Sequence, residues 1–326
     1  MDDMNFSQYA LNSGGIVEPL IIPSEHTNGT GLFNPSVFVD GNDIFVNIRH
    51  CQYTLYHSEK NNYEHQWGPL LYLNPENDIS LTTTNYFGIL DENLILTSFD
   101  KIDTSNFDRK PLWEFVGLED CRIVKWEEKF YLCGVRRDTT TNGVGRMELS
   151  EIDIPNSFEE INRHRIPVPE NSDSYCEKNW MPILDQPYHF VKWSNPVQIV
   201  KYDIKTNTTK TVFLGNLKEN MMQNLRGGSQ VMPYKDGYIC IHHITYLFRS
   251  EQDRKNATYR HVFTYWDKNW NVLKQSKQFD FMGANIEFCC GMSKYKDDYI
   301  ITFGLQDNAS YVLKISEDAL ENFINE

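Results

Sequence analysis

Short apolar runs rich in Val, Ile, Phe, Tyr and Thr alternate with tight polar turns along nearly the whole chain, which is the pattern of β-strands. Five stretches share one form: VFVDGNDIFVNIRH from Val37, VKWEEKFYLCGVRR from Val124, PILDQPYHFVKW from Pro182, VMPYKDGYICIHH from Val231 and MSKYKDDYIITFG from Met292. Each reads as an apolar strand, a polar turn and a second strand opening near an aromatic or Ile. GILDENLILTSF, from Gly88, is expected to supply outer strands of the first unit. Helical periodicity is sparse. NSFEEINRH, from Asn156, is at most a short helix, and SEDALENFINE, from Ser316, combines an N-cap with apolar residues at helical spacing.

The segments leading into the five turns are FNPS at Phe33, LEDC at Leu118, KNWM at Lys178, RGGS at Arg226 and IEFC at Ile286. Antiparallel units recurring every fifty to ninety residues or so predict an all-β, five-bladed β-propeller with a short C-terminal helix. The expected organisation is a single catalytic domain over 1–326, with an N-terminal extension over 1–30 and the helix over 316–326. In a blade, the start of the innermost strand and the end of its antiparallel neighbour lie on one rim. Polar pairs are therefore expected there: Asn34 with Arg49, Asp120 with Arg136, Lys178 with Lys192, Arg226 with His243, and Glu287 with Asp307. Five such pairs on one axis describe a charged pocket.

Composition narrows the ligand. A net charge of −14 repels phosphate backbones, so nucleic acid is not an expected partner. The start MDDMNFSQYA lacks the basic and apolar regions of a signal peptide, and no apolar run approaches a membrane span; no membrane association and a cytoplasmic location are expected. Seven scattered cysteines without a CxxC pair read as free thiols in a reducing compartment. Histidines and acids show no tight ligand spacing, so neither a metal nor a cofactor is expected.

The five segments resemble glycoside hydrolase family 130, five-bladed propeller enzymes that are mostly inverting phosphorylases of β-mannosides, with some hydrolases and related mannosyltransferases. FNPS resembles the family's first-blade Asn-Pro motif, which implies sugar contact by Asn34, aided by Ser36, with Arg49 matching the arginine at the end of the following strand. GLEDCR resembles the Glu-Asp-Pro-Arg motif, which implies that Asp120 is the general acid. EKNW resembles the third-blade Asn-Lys segment and brings in Lys178. RGGS with its following strand resembles a Gly-Gly segment, implying Arg226 and His243 as phosphate contacts; TYRHVF implies Tyr259 beside the phosphate. FGLQD resembles the last-blade Tyr-Gly-x-x-Asp, implying that Asp307 holds sugar hydroxyls. The chain departs from the pattern at Cys121, which replaces a proline, at VKW, where phosphorylases carry Arg-Pro and Lys192 is the available cation, and at Glu287, where the family commonly has an uncharged residue and which is a candidate to bind sugar hydroxyls or to serve as a base.

An inverting hydrolase needs two carboxyl groups, about 6.5–9.5 Å apart. A phosphorylase needs the acid alone and cations to hold phosphate. Arg136, Arg146, Lys178, Arg226, His243 and Tyr259 are candidates for that anion site, and Trp180 or Trp193 for stacking on sugar. Strand alternation is expected to put Glu119 and Asp120 on opposite faces, likewise His242 and His243, and to set Arg122 beside Asp120, lowering its pKa. The expected activity is formation or cleavage of a β-mannoside-type bond with inversion, as glycoside phosphorylase or mannosyltransferase, on an oligosaccharide, sugar phosphate or nucleotide-sugar substrate. An inverting hydrolase using Asp120 and Glu287, and a non-catalytic glycan-binding propeller, stay open, as does homo-oligomerisation.

Overall fold

The computed structural model describes residues 4–55, 62–64, 71–73, 81–170, 172–249, 253 and 255–326; residues 1–3 of the expected N-terminal extension lie outside them. The strands form five blades around one axis. Blade one is Leu32–Asp40, Asp43–Cys51, Leu81–Leu90 and Leu96–Lys101, so GILDENLILTSF does supply its outer turn. Blade two is Leu118–Trp126, Lys129–Arg136, Arg146–Ile152 and Glu160–Arg165. Blade three runs from Met181–Pro182 through His189–Ser194 and Val197–Asp203 to Thr208–Leu214. Blade four is built on the long hairpin Gly237–Arg249 and Lys255–Asp267, with Arg226–Gly227 and Met232–Tyr234 inside it and Val272–Gln275 outside.

Blade five joins the two ends of the chain. Glu287–Tyr295, Asp298–Leu305 and Ala309–Ser316 are completed by Ile16–Leu20, which pairs antiparallel with Ala309–Ser316. Part of the stretch expected as an extension is therefore a structural strand. It closes the ring by supplying the outer edge of the last blade, which covers that edge's unpaired backbone groups. The helix Phe6–Asn12, which the sequence pattern did not reveal in so short a segment, is capped by Asn5 and packs Phe6 against Phe263, Phe279 and Phe323. The C-terminal helix Glu317–Asn325 begins at its Ser316 cap as expected and buries Leu320, Phe323 and Ile324 in the same core. NSFEEINRH is not helical: Glu160–Arg165 is the outer strand of blade two, with Glu160 buried beneath Arg163.

At the axis one buried side chain ties four blades together. Gln230 donates to the carbonyls of Val37 and Ile123 at 2.9 and 2.8 Å and to Ser36 Oγ at 3.2 Å, and its Oε1 accepts from Met292 N at 3.1 Å. Ser36 Oγ in turn accepts from Ile123 N at 3.0 Å. A fully satisfied buried network fixes the register of the inner strands against one another. All seven cysteines are unpaired, six of them buried. Among the described residues no helix is long and apolar enough to cross a membrane.

Candidate functional site

The rim of the channel gathers side chains from all five blades. Asn34, near the start of blade one's inner strand, donates from Nδ2 to Asp120 Oδ1 at 2.8 Å. Arg49, at the end of the neighbouring strand, donates from Nη1 to the same oxygen at 2.7 Å and from Nη2 to Glu119 Oε2 at 3.0 Å. Its Nε reaches Thr83 Oγ1 at 3.2 Å, and its guanidinium lies 4.7 Å over the Phe33 ring.

One arginine can hold both carboxylates because the strand is broken at that point. Pairing between the first two strands of blade two slips between Glu119 and Arg122, and Asp120 adopts φ +52°. The left-handed residue cancels the alternation that would have sent Glu119 to the other face. The expectation of opposite faces is thus overturned by a bulge. Arg122 is fully buried and donates to the backbone carbonyls of Asp120 and Gly228, at 2.6 and 2.8 Å, beneath the cluster.

The three carboxyl groups have different acidities. Burial pushes Asp120 up, but Arg49, the hydrogen bond from Asn34, Arg122 and Lys178 together hold it below the usual aspartate range. Burial raises Glu119 despite Arg49. Asp307, at φ +49°, is pushed up to about 6 by burial, with the negative charges of Asp120 and Glu119 working in the same direction against Arg49. Neutral pH therefore leaves Asp120 the firmly ionised member.

The cationic side is formed by blades three and four. Lys178 and Arg226 are exposed and have no ion-pair partner among the described residues. Lys178 acts electrostatically on Glu119, Asp120 and His243; Arg226 acts on His243 and Tyr259. Arg226 and His243 are register partners, as the rim pairing predicts. His243 is buried, stacked 5.5 Å from Tyr259 and edge-on to Phe288 at 4.8 Å. Burial and the neighbouring cations hold its imidazole neutral, well below the usual histidine range. Tyr259 is pushed up to about 12 by burial and by Asp307 and Asp120. Two buried atoms here, Glu119 Oε1 and His243 Nδ1, have no hydrogen-bond partner.

Other expected site residues are committed elsewhere. Arg136 stands opposite Leu118, not Asp120, and donates from Nε to buried Glu148 at 2.7 Å. Arg146 is tied to the carbonyls of Gly145, Ser174 and Tyr175. Ser36 belongs to the axial network around Gln230. Trp180 is in the interblade core and donates from Nε1 to Glu177, which also binds Lys192 at 2.7 Å; Trp193 is half-exposed. Glu287 is wholly buried, and its carboxylate accepts from the backbone N–H groups of Phe281, Met282 and Ala284 at 2.5, 2.9 and 2.9 Å. It clamps a turn, with both carboxylate oxygens engaged by backbone N–H groups. Among the described residues, no group of three or more His, Cys, Asp or Glu is placed to hold a metal. His242 faces away and meets Thr264 at 3.1 Å.

The fold is a five-bladed propeller shared with carbohydrate-active enzymes of known structure. The β-1,2-mannobiose phosphorylase of Listeria innocua is 14% identical, with a TM-score of 0.54 over 95% of this chain and 94% of its own. The mannose phosphorylase MPT-4 of Leishmania mexicana, in complex with phosphate ion, is 14% identical, with a TM-score of 0.53 over 97% and 93%. A structure described with the GH130 mannoside phosphorylases and the hydrolases among them that target β-1,2-mannosidic linkages in Candida mannan is 13% identical, with a TM-score of 0.56 over 89% and 85%. At such identity the likeness is one of fold. No family model and no curated protein matches the sequence.

Proposed function

We propose that this chain makes or breaks a β-mannoside-type glycosidic bond with inversion, as a phosphorylase or mannosyltransferase, with Asp120 handling the proton. The observation that carries the reading is one largely enclosed carboxylate, fixed by Arg49 and Asn34 and held ionised, within electrostatic reach of Lys178 and of Tyr259, on which Arg226 also acts. Lys178, Arg226, neutral His243 and Tyr259 would hold the phosphate by charge-assisted hydrogen bonds. Asp307 would hold sugar hydroxyls, and its raised pKa lets it donate as well as accept. The orphaned Glu119 Oε1 and His243 Nδ1 suit a polar ligand that supplies their missing partners. Phosphorylases among the structural neighbours, one of them with phosphate bound, add weight to the reading.

In the synthetic direction Asp120 starts as the carboxylate that the step requires. Its carboxylate takes the proton of an acceptor hydroxyl, the freed oxygen bonds to the anomeric carbon of a phosphate-linked mannosyl donor, and the phosphate leaves with the electron pair of the broken C–O bond. Phosphorolysis is the reverse, with the proton returned by the same group. A hydrolase built on Glu287 is disfavoured, because its carboxylate already accepts three backbone N–H bonds. Incubating the protein with mannose 1-phosphate or GDP-mannose and a panel of acceptor sugars should yield oligosaccharide, and Asp120→Asn should abolish it. A folded protein that gives no product across the panel refutes the enzymatic reading; retained sugar binding in Asp120→Asn would then point to a glycan-binding propeller.

A further inference from the structure

Away from the axis, between blades one and two, lies a cavity of about 880 Å³. Small-molecule sites typically enclose about 300–1,000 Å³. Its walls are the rim end of Leu81–Leu90, the face of blade two at Leu132 and Ser150, and the segment 102–117 that links the two blades. That segment is a built arch. Leu112 N donates to Asp138 O at 2.8 Å, Gly117 N to Asp138 Oδ2 at 3.0 Å, and Asp103 N to Phe158 O at 3.0 Å.

Five cations, Lys101, Arg109, Lys110, Arg136 and Arg163, and three acids, Asp103, Asp108 and Asp138, line the space. The acids are already engaged. Asp108 accepts from Arg163 at 3.2 Å and from Thr104 at 2.9 Å, Asp138 meets Gly117 N and Arg136, and Asp103 accepts from Ser105 N at 2.9 Å. Arg136 and Arg163 are in turn held by the buried carboxylates of Glu148 and Glu160. Lys101 and Lys110 form no ion pair among the described residues, and Arg109 donates to the carbonyl of Asp108 alone. A chain of net charge −14 therefore carries, along one open-sided cavity, three exposed cations that form no ion pair among the described residues, Lys101 acting on Asp103 only at range. Thr82, Thr84, Ser105 and Thr139 lie on the same walls, with Thr84 Oγ1 meeting His50 Nδ1 at 3.0 Å and Ser105 bonded to Asp103.

We propose that this interblade cavity is a second binding site, for a phosphorylated sugar: the phosphate meets Lys101, Arg109 and Lys110, and the sugar lies against the polar wall that includes Thr139. Cations recognise the dianion by charge-assisted bonds, while side-chain hydroxyls can both donate to and accept from a polyol. The site is separate from the axial pocket yet one residue away from it. Thr83 is on its wall and accepts from Nε of Arg49.

Calorimetric titration with mannose 1-phosphate tests this directly, using the full chain, Lys101→Glu/Lys110→Glu and Arg226→Glu. The substituted side chains are exposed, and circular dichroism verifies folding. The expected result is a binding component that Arg226→Glu leaves intact and the double lysine variant weakens by about tenfold or more, as loss of charged hydrogen bonds implies. Mannose lacking the phosphate should bind that component at least tenfold more weakly. The inference is overturned if no component survives Arg226→Glu, if the lysine variant leaves every component unchanged, or if mannose binds as well as its phosphate. Failure of the proposed activity would show instead as absence of product and of an Arg226-sensitive component.

Discussion

Replacing Arg49 by Met keeps the chain's length and apolar stem but removes every charge that compensates Glu119 and Asp120 from blade one. The pairs at 2.7 and 3.0 Å join side chains that are 6% exposed on the arginine and 16% and 14% on the acids. Removing one partner of so enclosed a pair, so that its charges are left unpaired, costs about 3–5 kcal/mol. Part of that cost is escapable through protonation, which makes the effect depend on pH. In the wild type the folded pKa of Asp120 lies below its unfolded value, so its contribution to stability is present above the unfolded pKa and fades as pH falls through the folded one. Without Arg49, burial and the charges of Glu119 and Asp307 are opposed only by Asn34, Arg122 and Lys178, and we expect the folded pKa to rise above the unfolded value. Its contribution is then favourable at low pH and is lost as pH climbs. Both changes widen the gap between the proteins toward alkaline pH, by about 1.4 kcal/mol for each unit of pKa difference. Urea unfolding followed by fluorescence and circular dichroism together, at pH 5 and pH 8, reads the difference. We expect about 3–5 kcal/mol at pH 8 and at least about 1.4 kcal/mol less at pH 5. A loss below about 1 kcal/mol at pH 8, the range of an exposed pair, or one equal at both pH values, refutes the argument that Arg49 neutralises buried charge.

Asp307→Asn removes a carboxyl whose raised folded pKa, about 6, stabilises the protein fully below its unfolded value and ceases to do so as pH passes 6. The melting temperature of the variant relative to wild type should therefore become more positive from pH 4 to pH 8, and a flat difference contradicts the assignment. Glu287→Gln replaces one acceptor oxygen of the turn clamp by an amide, which cannot accept all three backbone N–H bonds, and should cost about 1–3 kcal/mol in urea unfolding. Its kcat in the transfer assay should match wild type within about threefold, whereas a general base contributes about 10²–10⁴-fold. Gln230→Leu orphans the carbonyls of Val37 and Ile123 and the amide of Met292, and at about 1–3 kcal/mol per unsatisfied group it should cost about 3 kcal/mol or more. A variant as stable as wild type would mean that the axial network does not hold the blades.

The blade order was readable because it rests on local signals: period-two apolar runs and turn residues such as Asp40-Gly41 and Asp236-Gly237. The rim placement of Asn34, Arg49, Asp120 and Arg226 was also legible, since each lies at or near a strand end, and His243 follows as the register partner of Arg226; Tyr259, inside the long hairpin of blade four, was named only through the resemblance. What escaped depends on distance or on broken periodicity. The partnership of Gln230 with Ser36 spans nearly two hundred positions, and nothing local marks a buried glutamine as an axle. Glu287 looked like a rim acid because it opens a strand; its three donors come from the preceding loop, whose fold no pattern of apolar residues records. Strand alternation itself misled at Glu119, where one left-handed residue undoes it.

That residue is not isolated. Asn34, Asp120 and Asn179 occupy the second position of FNPS, EDCR and KNWM, and their φ values are +48°, +52° and +59°. Asn and Asp enter the left-handed region more readily than other side chains, so the same chemical class recurs where three successive inner strands kink. The kinks demand room from the neighbouring backbone. A Cβ on Gly304 would stand 2.3 Å from Asn34 Oδ1 and 2.5 Å from the Asn34 backbone nitrogen, and one on Gly227 would stand 1.8 Å from the backbone carbonyl oxygen of Asn179. The glycines of FGLQD and RGGS are therefore partners of the kinks in other segments as much as features of their own. Segments distant in sequence are matched in pairs, a kinked Asx in one blade and a glycine in the next. In blades one and two the kinks themselves carry Asn34 and Asp120 into contact on the same rim.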